Sequence, residues 1–175
     1  MIYDENKKIN REAFAIALIE LCKVNSFSTI SVSAISEKSG LSRMFFYRNY
    51  SSKEEIFVTY FNDILEKYIE YVKELNKNNI TKQKLLVLTF LFFKEYKDFF
   101  NVLKSINMSN ILFEGVINYV TNNYNFVDSI SRYQGVNYAG GLYAVFMHWL
   151  ENEFKEDVNV IVSLITEKFS FIKTL

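Results

Sequence analysis

The sequence predicts an all-α protein of about nine helices. Proline is absent from the 175 residues and only five glycines occur among them, so few positions interrupt a continuous helix. Apolar residues recur at intervals of three and four along most of the chain, which is the spacing of one buried helix face. Half of the residues are hydrophobic, which is enough to build a core in a chain of this length.

The composition of the chain predicts its cellular compartment and excludes several kinds of chemistry. The longest apolar stretches, LLVLTFLFF at 85–93 and YAGGLYAVFMHWL at 138–150, are shorter than the roughly 20 residues of a membrane span. The charged N-terminus does not have the pattern of a secretory signal, so we expect a cytoplasmic protein. One cysteine, Cys22, and one histidine, His148, cannot form a disulfide or a metal cluster. We expect no metal, no cofactor and no enzymatic activity, because no nucleophile with a partner base can be assigned.

A helix-turn-helix is predicted near the N-terminus. The first helix runs from Lys7 to Lys23, and its apolar face contains Phe14, Ala17, Leu18, Leu21 and Cys22. Serines at 31, 42 and 52 each mark a helix start, because a hydroxyl accepts hydrogen bonds from the free N–H groups of a first turn. Gly40 lies between the first two starts, where a left-handed residue ends a helix at low cost. Two very short helices therefore follow the first one.

A long helix from Ser52 to about Leu75 comes next, and Ser52 and Glu55 have the spacing of a capping box. The polar segment 76–81 interrupts it. Further helices are predicted over 82–96, 98–106, 109–122, 127–153 and 156–173.

Charge is segregated along a chain that has no net charge. Lys and Arg number 20, as do Asp and Glu, yet residues 1–53 hold eight basic and five acidic side chains. This segment therefore carries +3 and the remainder −3. A local positive excess favours contact with a polyanion even where the whole monomer is neutral.

The segment SGLSRMFFYRNYSSKEE at 39–55 combines aromatic and basic residues. A helical projection directs Phe46 and Tyr50 inward and leaves Met44 and Arg48 on the opposite side, with Phe45 and Tyr47 on the flanks. Arg43 lies in the first turn, where its long side chain can reach forward. Three positive and no negative charges lie between Ser42 and Lys53. Such a face attracts phosphates, and arginine can also contact guanine in the major groove. The projection leaves open whether the ring of Phe45 belongs to the inward anchor or to the exposed surface.

Residues about 8–57 resemble the N-terminal domain of the tetracycline repressor (TetR) family of transcription regulators. The resemblance rests on FSTISVSAISEKSGLSRMFFYRNYSSKEEIF, with its Gly40-Leu41-Ser42, Phe46-Tyr47 and Lys53-Glu54-Glu55 groups. Phe45 departs from the family pattern, which commonly has a small or hydroxyl residue there, and Ser36 and Ser39 replace the usual alanines. The DNA-contacting residues that the resemblance implies are Ser31, Ser33, Ser42, Arg43, Met44, Phe45, Tyr47, Arg48, Asn49 and Lys53.

The resemblance also implies a second, regulatory domain. We expect a DNA-binding domain over 1–53 and a helical ligand-binding and dimerisation domain over 54–175. The ligand pocket would be lined by apolar and polar groups drawn from Phe93, Tyr96, Asn107, Phe113, Asn118, Tyr119, Tyr138 and His148. The last two helices would form a homodimer interface through Gly141, Val145, Trp149, Val158, Val162, Ile165 and Phe169. The same apolar faces are also compatible with intramolecular core.

The predicted function is a DNA-binding transcription regulator, a repressor that binds a palindromic operator as a homodimer and responds to a small apolar or amphipathic effector. Two alternatives remain at this point. A helix-turn-helix regulator could be controlled by a protein partner without an effector, or the chain could be a helical small-molecule-binding protein that does not use DNA.

Overall fold

The computed structural model describes residues 2–123 and 126–166. Within these ranges there are nine α-helices, one 3-10 turn at Phe27–Thr29 and no β-strand, which confirms the all-α class. The helices are α1 Ile2–Cys22, α2 Val32–Ser39, α3 Arg43–Asn49, α4 Lys53–Asn76, α5 Lys82–Lys94, α6 Lys97–Ser105, α7 Asn110–Asn123, α8 Ser129–Glu151 and α9 Val158–Thr166.

The three serine-marked helix starts are confirmed. The hydroxyl of Ser31 accepts a hydrogen bond from the backbone N–H of Ala34, that of Ser42 from Phe45, and that of Ser52 from Glu55. The capping box at the third start differs in one detail from the predicted pairing. The Glu55 carboxylate accepts from the backbone N–H and the hydroxyl of Ser51, at 2.6 Å each. Glu55 thus accepts from the N–H of the residue before the N-cap, and not from the N–H of Ser52 as in a capping box.

The turn between α2 and α3 depends on Gly40, which ends α2 in the left-handed conformation with φ of +72°. Two serines just before it differ in the hydrogen bonding of their hydroxyl groups. The Ser39 hydroxyl donates to the carbonyl of Ser36 at 3.2 Å and accepts from the N–H of Leu41 at 3.3 Å. The Ser36 hydroxyl is buried and has no hydrogen-bond partner among the described residues. Ser39 therefore stabilises the turn, whereas the hydroxyl of Ser36 does not.

The chain divides into two compact units, and helix α4 contributes to both. The first unit comprises residues up to Lys67 together with Asp98–Gly115, and the second comprises Tyr68–Lys97 and the described residues from Val116 onward. Residues 2–53 lie wholly in the first unit. Residues 53–67 of α4 and residues 98–105 of α6 complete the hydrophobic core of this unit. Its buried side chains include Phe14, Leu18, Ile35, Ile56, Phe57, Ile64, Phe99 and Leu103.

The core of the second unit is centred on Trp149 of α8. This side chain is only 2% exposed, its indole N–H donates to the carbonyl of Glu156 at 2.9 Å, and its ring contacts Phe90 and Phe154. The ammonium of Lys94 lies 5.1 Å from the centre of the Trp149 ring. Trp149 is therefore part of the intramolecular core, which corrects its expected place on a dimer interface.

The other predicted interface residues differ in how deeply they are buried. Val162 is fully buried, whereas Val145, Val158 and Ile165 are half-buried. Gly141 is exposed, and nothing lies within 4 Å of the position that a Cβ would occupy there. Phe169 lies outside the described residues. On α9 the repeating apolar stripe is thus the core-facing one, and the exposed apolar side chains are Val160 and Leu164.

Within the first unit, Arg11 of α1 and Asp63 of α4 form a partly buried ion pair. The Arg11 Nε donates to Asp63 Oδ2 at 3.0 Å, and a guanidinium Nη2 contacts the other carboxylate oxygen. Lys8 with Glu66 and Glu12 with Lys67 add exposed pairs on either side. Burial raises the pKa of Asp63, although the charge of Arg11 acts in the opposite direction. The Asp63 carboxylate therefore depends on Arg11 to stay ionised in the interior.

We predict that Arg11→Met lowers the free energy of unfolding by about 3 kcal/mol, because it leaves a buried carboxylate without its partner. Arg11→Met combined with Asp63→Leu should recover much of this loss. Without Arg11 the folded-state pKa of Asp63 lies further above its unfolded value, so the stability of Arg11→Met should fall as pH rises through that interval. Urea titrations near pH 4 and pH 7 measure this, and a loss that is larger at acidic pH would contradict it.

Candidate nucleic-acid interface

The short helix α3 is held in place by aromatic rings. Phe46 of α3 and Tyr50, which follows it, are both buried and lie against Phe14 of α1. The ring centres of Phe14 and Phe46 are 6.2 Å apart, and those of Phe14 and Tyr50 are 5.9 Å apart. A helix of seven residues is too short to be stable alone, so these contacts determine its position.

The opposite side of α3 faces outward. Met44 is 56% exposed and Tyr47 is 67% exposed, and Arg43 and Arg48 are exposed beside them. Of the seven residues of α3, none is acidic. The helix therefore presents two guanidinium groups, one thioether and one phenol on a single surface, which we call the α3 face.

The structure places Phe45 with the anchor. Its ring centre lies 5.5 Å from that of Phe14 and 6.2 Å from that of Tyr50, and the side chain is half-buried. Asn49 is also engaged, because its side-chain amide donates to the carbonyl of Phe45 at 2.8 Å. Neither residue belongs to the α3 face.

The predicted serine contacts have local structural roles. Ser31 and Ser42 accept the capping hydrogen bonds of α2 and α3. Ser33 accepts a long, 3.5 Å hydrogen bond from the Arg43 guanidinium. Sequence reasoning named both residues but missed this link between α2 and α3, because no periodicity relates the two positions. An open groove lies at this point, lined by Ser33, Ser36, Glu37, Gly40, Leu41, Ser42 and Arg43.

Lys53, which begins α4, is directed toward the protein. Its ammonium donates to the backbone carbonyls of Phe27 and Ile30, at 2.7 Å each, and lies 4.7 Å from the centre of the Phe27 ring. An ammonium group has three donors, so one N–H remains for another acceptor. The lysine thus attaches the 3-10 turn to the start of α4, a role that only the fold reveals.

Cys22 at the end of α1 is half-buried, and burial raises the pKa of its thiol to about 11 despite the nearby charge of Lys53. A thiol with so high a pKa carries little thiolate near neutral pH and is a poor nucleophile. This agrees with the packing role predicted from the sequence.

Two of the eight predicted ligand-contacting residues meet in the second unit. Phe93 of α5 and Tyr119 of α7 both contact the ring of Tyr68 on α4, with ring centres 5.0 Å and 6.1 Å away. The Tyr68 hydroxyl is hydrogen-bonded to the hydroxyl of Thr89 at 2.9 Å. We call these four residues the Tyr68 cluster. Tyr68 itself was not among the predicted ligand residues, because its spacing on α4 indicated a role in core packing.

The remaining predicted ligand residues are more scattered. Tyr96 contacts Phe92, with ring centres 5.6 Å apart, and Phe92 in turn contacts Tyr68. Asn107 and Phe113 are exposed residues of the first unit, and Asn118 and Tyr138 are exposed residues of the second. His148 is also largely exposed, with Glu151 and Asn152 beside it.

Among residues 2–123 and 126–166, no group of three or more His, Cys, Asp or Glu side chains is placed to hold a metal ion. No helix in the same part of the chain is long and apolar enough to cross a membrane.

No protein-family model matches the chain, and no curated protein is significantly similar to it in sequence. The function is therefore inferred from the geometry of the chain itself.

We predict unequal effects on stability for two aromatic substitutions on α3. Phe45→Ala should lower the free energy of unfolding by about 2 kcal/mol, because it removes a half-buried ring from the anchor. Tyr47→Ala should change it by less than about 0.5 kcal/mol, since most of that side chain is exposed. Urea denaturation followed by circular dichroism measures both losses. A loss for Phe45→Ala as small as that expected for Tyr47→Ala would show that Phe45 is not part of the anchor.

Lys53→Met should lower the free energy of unfolding by about 2 kcal/mol, because two carbonyls lose a charged hydrogen-bond donor. The matched control is Lys38→Met on the exposed surface of α2, which should have little effect. Thermal unfolding of both variants measures this. If Lys53→Met melts with the wild type, the attachment of the 3-10 turn does not depend on the ammonium.

Proposed function

We propose that the protein is a DNA-binding transcription regulator that uses α3 as its recognition helix. The observation that carries the proposal is the α3 face, in which Arg43, Met44, Tyr47 and Arg48 are exposed while the other side of the same helix is anchored on Phe14. In helix-turn-helix proteins the second helix of the motif enters the major groove, with its N-terminal residues at the base edges. The α2–Gly40–α3 arrangement supports this use.

The basic residues near α3 have two proposed roles: one contacts a base, and the others contact phosphates. Arg43 lies in the first turn of α3, where a guanidinium can contact guanine O6 and N7. Arg48 lies five residues later, in the last turn of α3, and suits a phosphate contact. Lys53 has one N–H left, so it can contribute at most one hydrogen bond to a phosphate besides its two internal ones.

We further propose that the regulator binds as a homodimer. One α3 spans only about 10 Å, which covers a few base pairs, and dimers achieve specificity by placing two such helices in successive major grooves. An exposed surface on α8 supports pairing: Ile130 is 67% exposed, Tyr133 is 76% exposed, and Gly141 lies open on the same side. A glycine permits close approach of a second helix, and a two-fold dimer would require a palindromic operator.

Repression controlled by a small effector is the proposed mode of regulation. The Tyr68 cluster is the candidate binding region, because it combines apolar rings with hydroxyl groups that could orient an apolar or amphipathic molecule. Tyr68 lies on α4, the helix whose first residue, Lys53, is attached to the helix-turn-helix region. An effector that favours one position of α4 would thereby change the affinity for DNA.

Selection of bound duplexes from a random DNA pool tests the central proposal. The wild type should enrich a palindrome with half-sites about one helical turn apart. Arg43→Ala should keep affinity for DNA in general but lose preference at one base pair per half-site, by about tenfold or more. Lys82→Ala removes an exposed charge from α5 and serves as the matched control.

Two outcomes would contradict the proposal. If no sequence is enriched at low salt, the protein is not a sequence-specific DNA-binding regulator. If Arg43→Ala and Lys82→Ala select the same sequence as the wild type with equal preference, α3 is not the element that reads the bases.

A further inference from the structure

The α3 face contains one side chain whose chemistry differs from the rest. Arg43, Tyr47 and Arg48 all carry hydrogen-bond donors, whereas Met44 ends in an apolar thioether and is 56% exposed. No structural requirement of α3 explains an apolar residue at this position, since the anchor is made by Phe45, Phe46 and Tyr50 on other sides of the chain.

The position of Met44 restricts what it can contact on DNA. It is the second residue of α3, in the first turn, and the first turn of a recognition helix approaches the base edges. Among the groups exposed in the major groove, only the C5 methyl of thymine is apolar in unmodified DNA. A thioether is flexible and polarizable, so it can adapt to such a methyl group.

Arg43 immediately precedes Met44, and this adjacency predicts the local sequence. Consecutive Cα atoms are about 3.8 Å apart, close to the spacing of about 3.4 Å between base pairs along the helix axis. The Arg43 guanidinium also reaches the Ser33 hydroxyl on α2, which restrains it beside the turn. The guanine contacted by Arg43 and the methyl contacted by Met44 therefore belong to neighbouring base pairs.

We propose that Met44 determines specificity by packing against the C5 methyl group of a thymine next to the guanine that Arg43 contacts in each operator half-site. The inference rests on the proposed DNA-binding function. It goes further by naming the group on DNA and the side chain that recognises it.

Replacing thymine by uracil tests this contact, because uracil lacks only the methyl group. Duplexes with the enriched operator are prepared with each thymine replaced in turn, symmetrically in both half-sites, and dissociation constants are measured at one salt concentration. At one position the wild type should bind the uracil duplex about fifteenfold more weakly. Loss of one methyl contact weakens binding about fourfold, and one such contact is lost in each of the two half-sites. Met44→Ala should bind thymine and uracil duplexes equally there.

A second variant separates this effect from a general loss of apolar surface. Val58→Ala removes an exposed apolar side chain from α4 and should keep the wild-type sensitivity to uracil. Circular dichroism checks that both variants remain folded, which is expected because both residues are exposed.

The possible failures can be told apart. If the wild type enriches a palindrome but Met44→Ala keeps the same sensitivity as the wild type at every thymine, the Met44 inference is wrong and the proposed function stands. The inference is also wrong if the enriched half-site has no thymine within two base pairs of the Arg43-dependent position. If no sequence is enriched, both the inference and the proposed function fail.

Discussion

The packing of Phe14 against α3 is the constraint on which the candidate interface depends. A seven-residue helix cannot hold its own position, and α3 is held because the Phe14 ring contacts Phe45, Phe46 and Tyr50 within 6.2 Å between ring centres. Because these three rings are directed toward the core, the side chains on the other side of this short helix face solvent. The exposed Arg43, Met44, Tyr47 and Arg48 are thus a consequence of how the other side is buried, and a loss of the anchor would move all four together.

Sequence periodicity was sufficient for the features that depend on neighbours along the chain. The serine caps, the left-handed Gly40 and the inward direction of Phe46 and Tyr50 follow from local hydrogen bonding and helix geometry, and the structure confirms them. The features that were missed depend on partners far along the chain. Trp149 was expected at an interface because its partners in the core, Phe90 and the carbonyl of Glu156, cannot be recognised from spacing.

Lys53 shows why a count of charges overestimates an electrostatic surface. The segment 1–53 carries +3 in sequence, yet one of its cations is coordinated by the carbonyls of Phe27 and Ile30. Arg11 is likewise committed to Asp63, a residue outside the segment. Of the exposed cations that remain in the segment, Arg43 and Arg48 lie on α3, Lys38 lies on α2 and Lys7 lies on α1. Under the proposed function, affinity for DNA would therefore depend on fewer cations than the net charge of the segment suggests.

Helix α4 makes contacts along its length that link several of these local features. At its start, Lys53 attaches to the 3-10 turn. Ten residues later Asp63 pairs with Arg11 of α1, and Tyr68 then contacts Phe93 and Tyr119. A displacement of α4 would therefore be transmitted to α1 through a directional ion pair, and from α1 to α3 through Phe14. Because the Asp63 carboxylate is costly to leave unpaired in the interior, a displacement of α4 near Asp63 favours a matching displacement of α1, and with it of α3, which packs on Phe14.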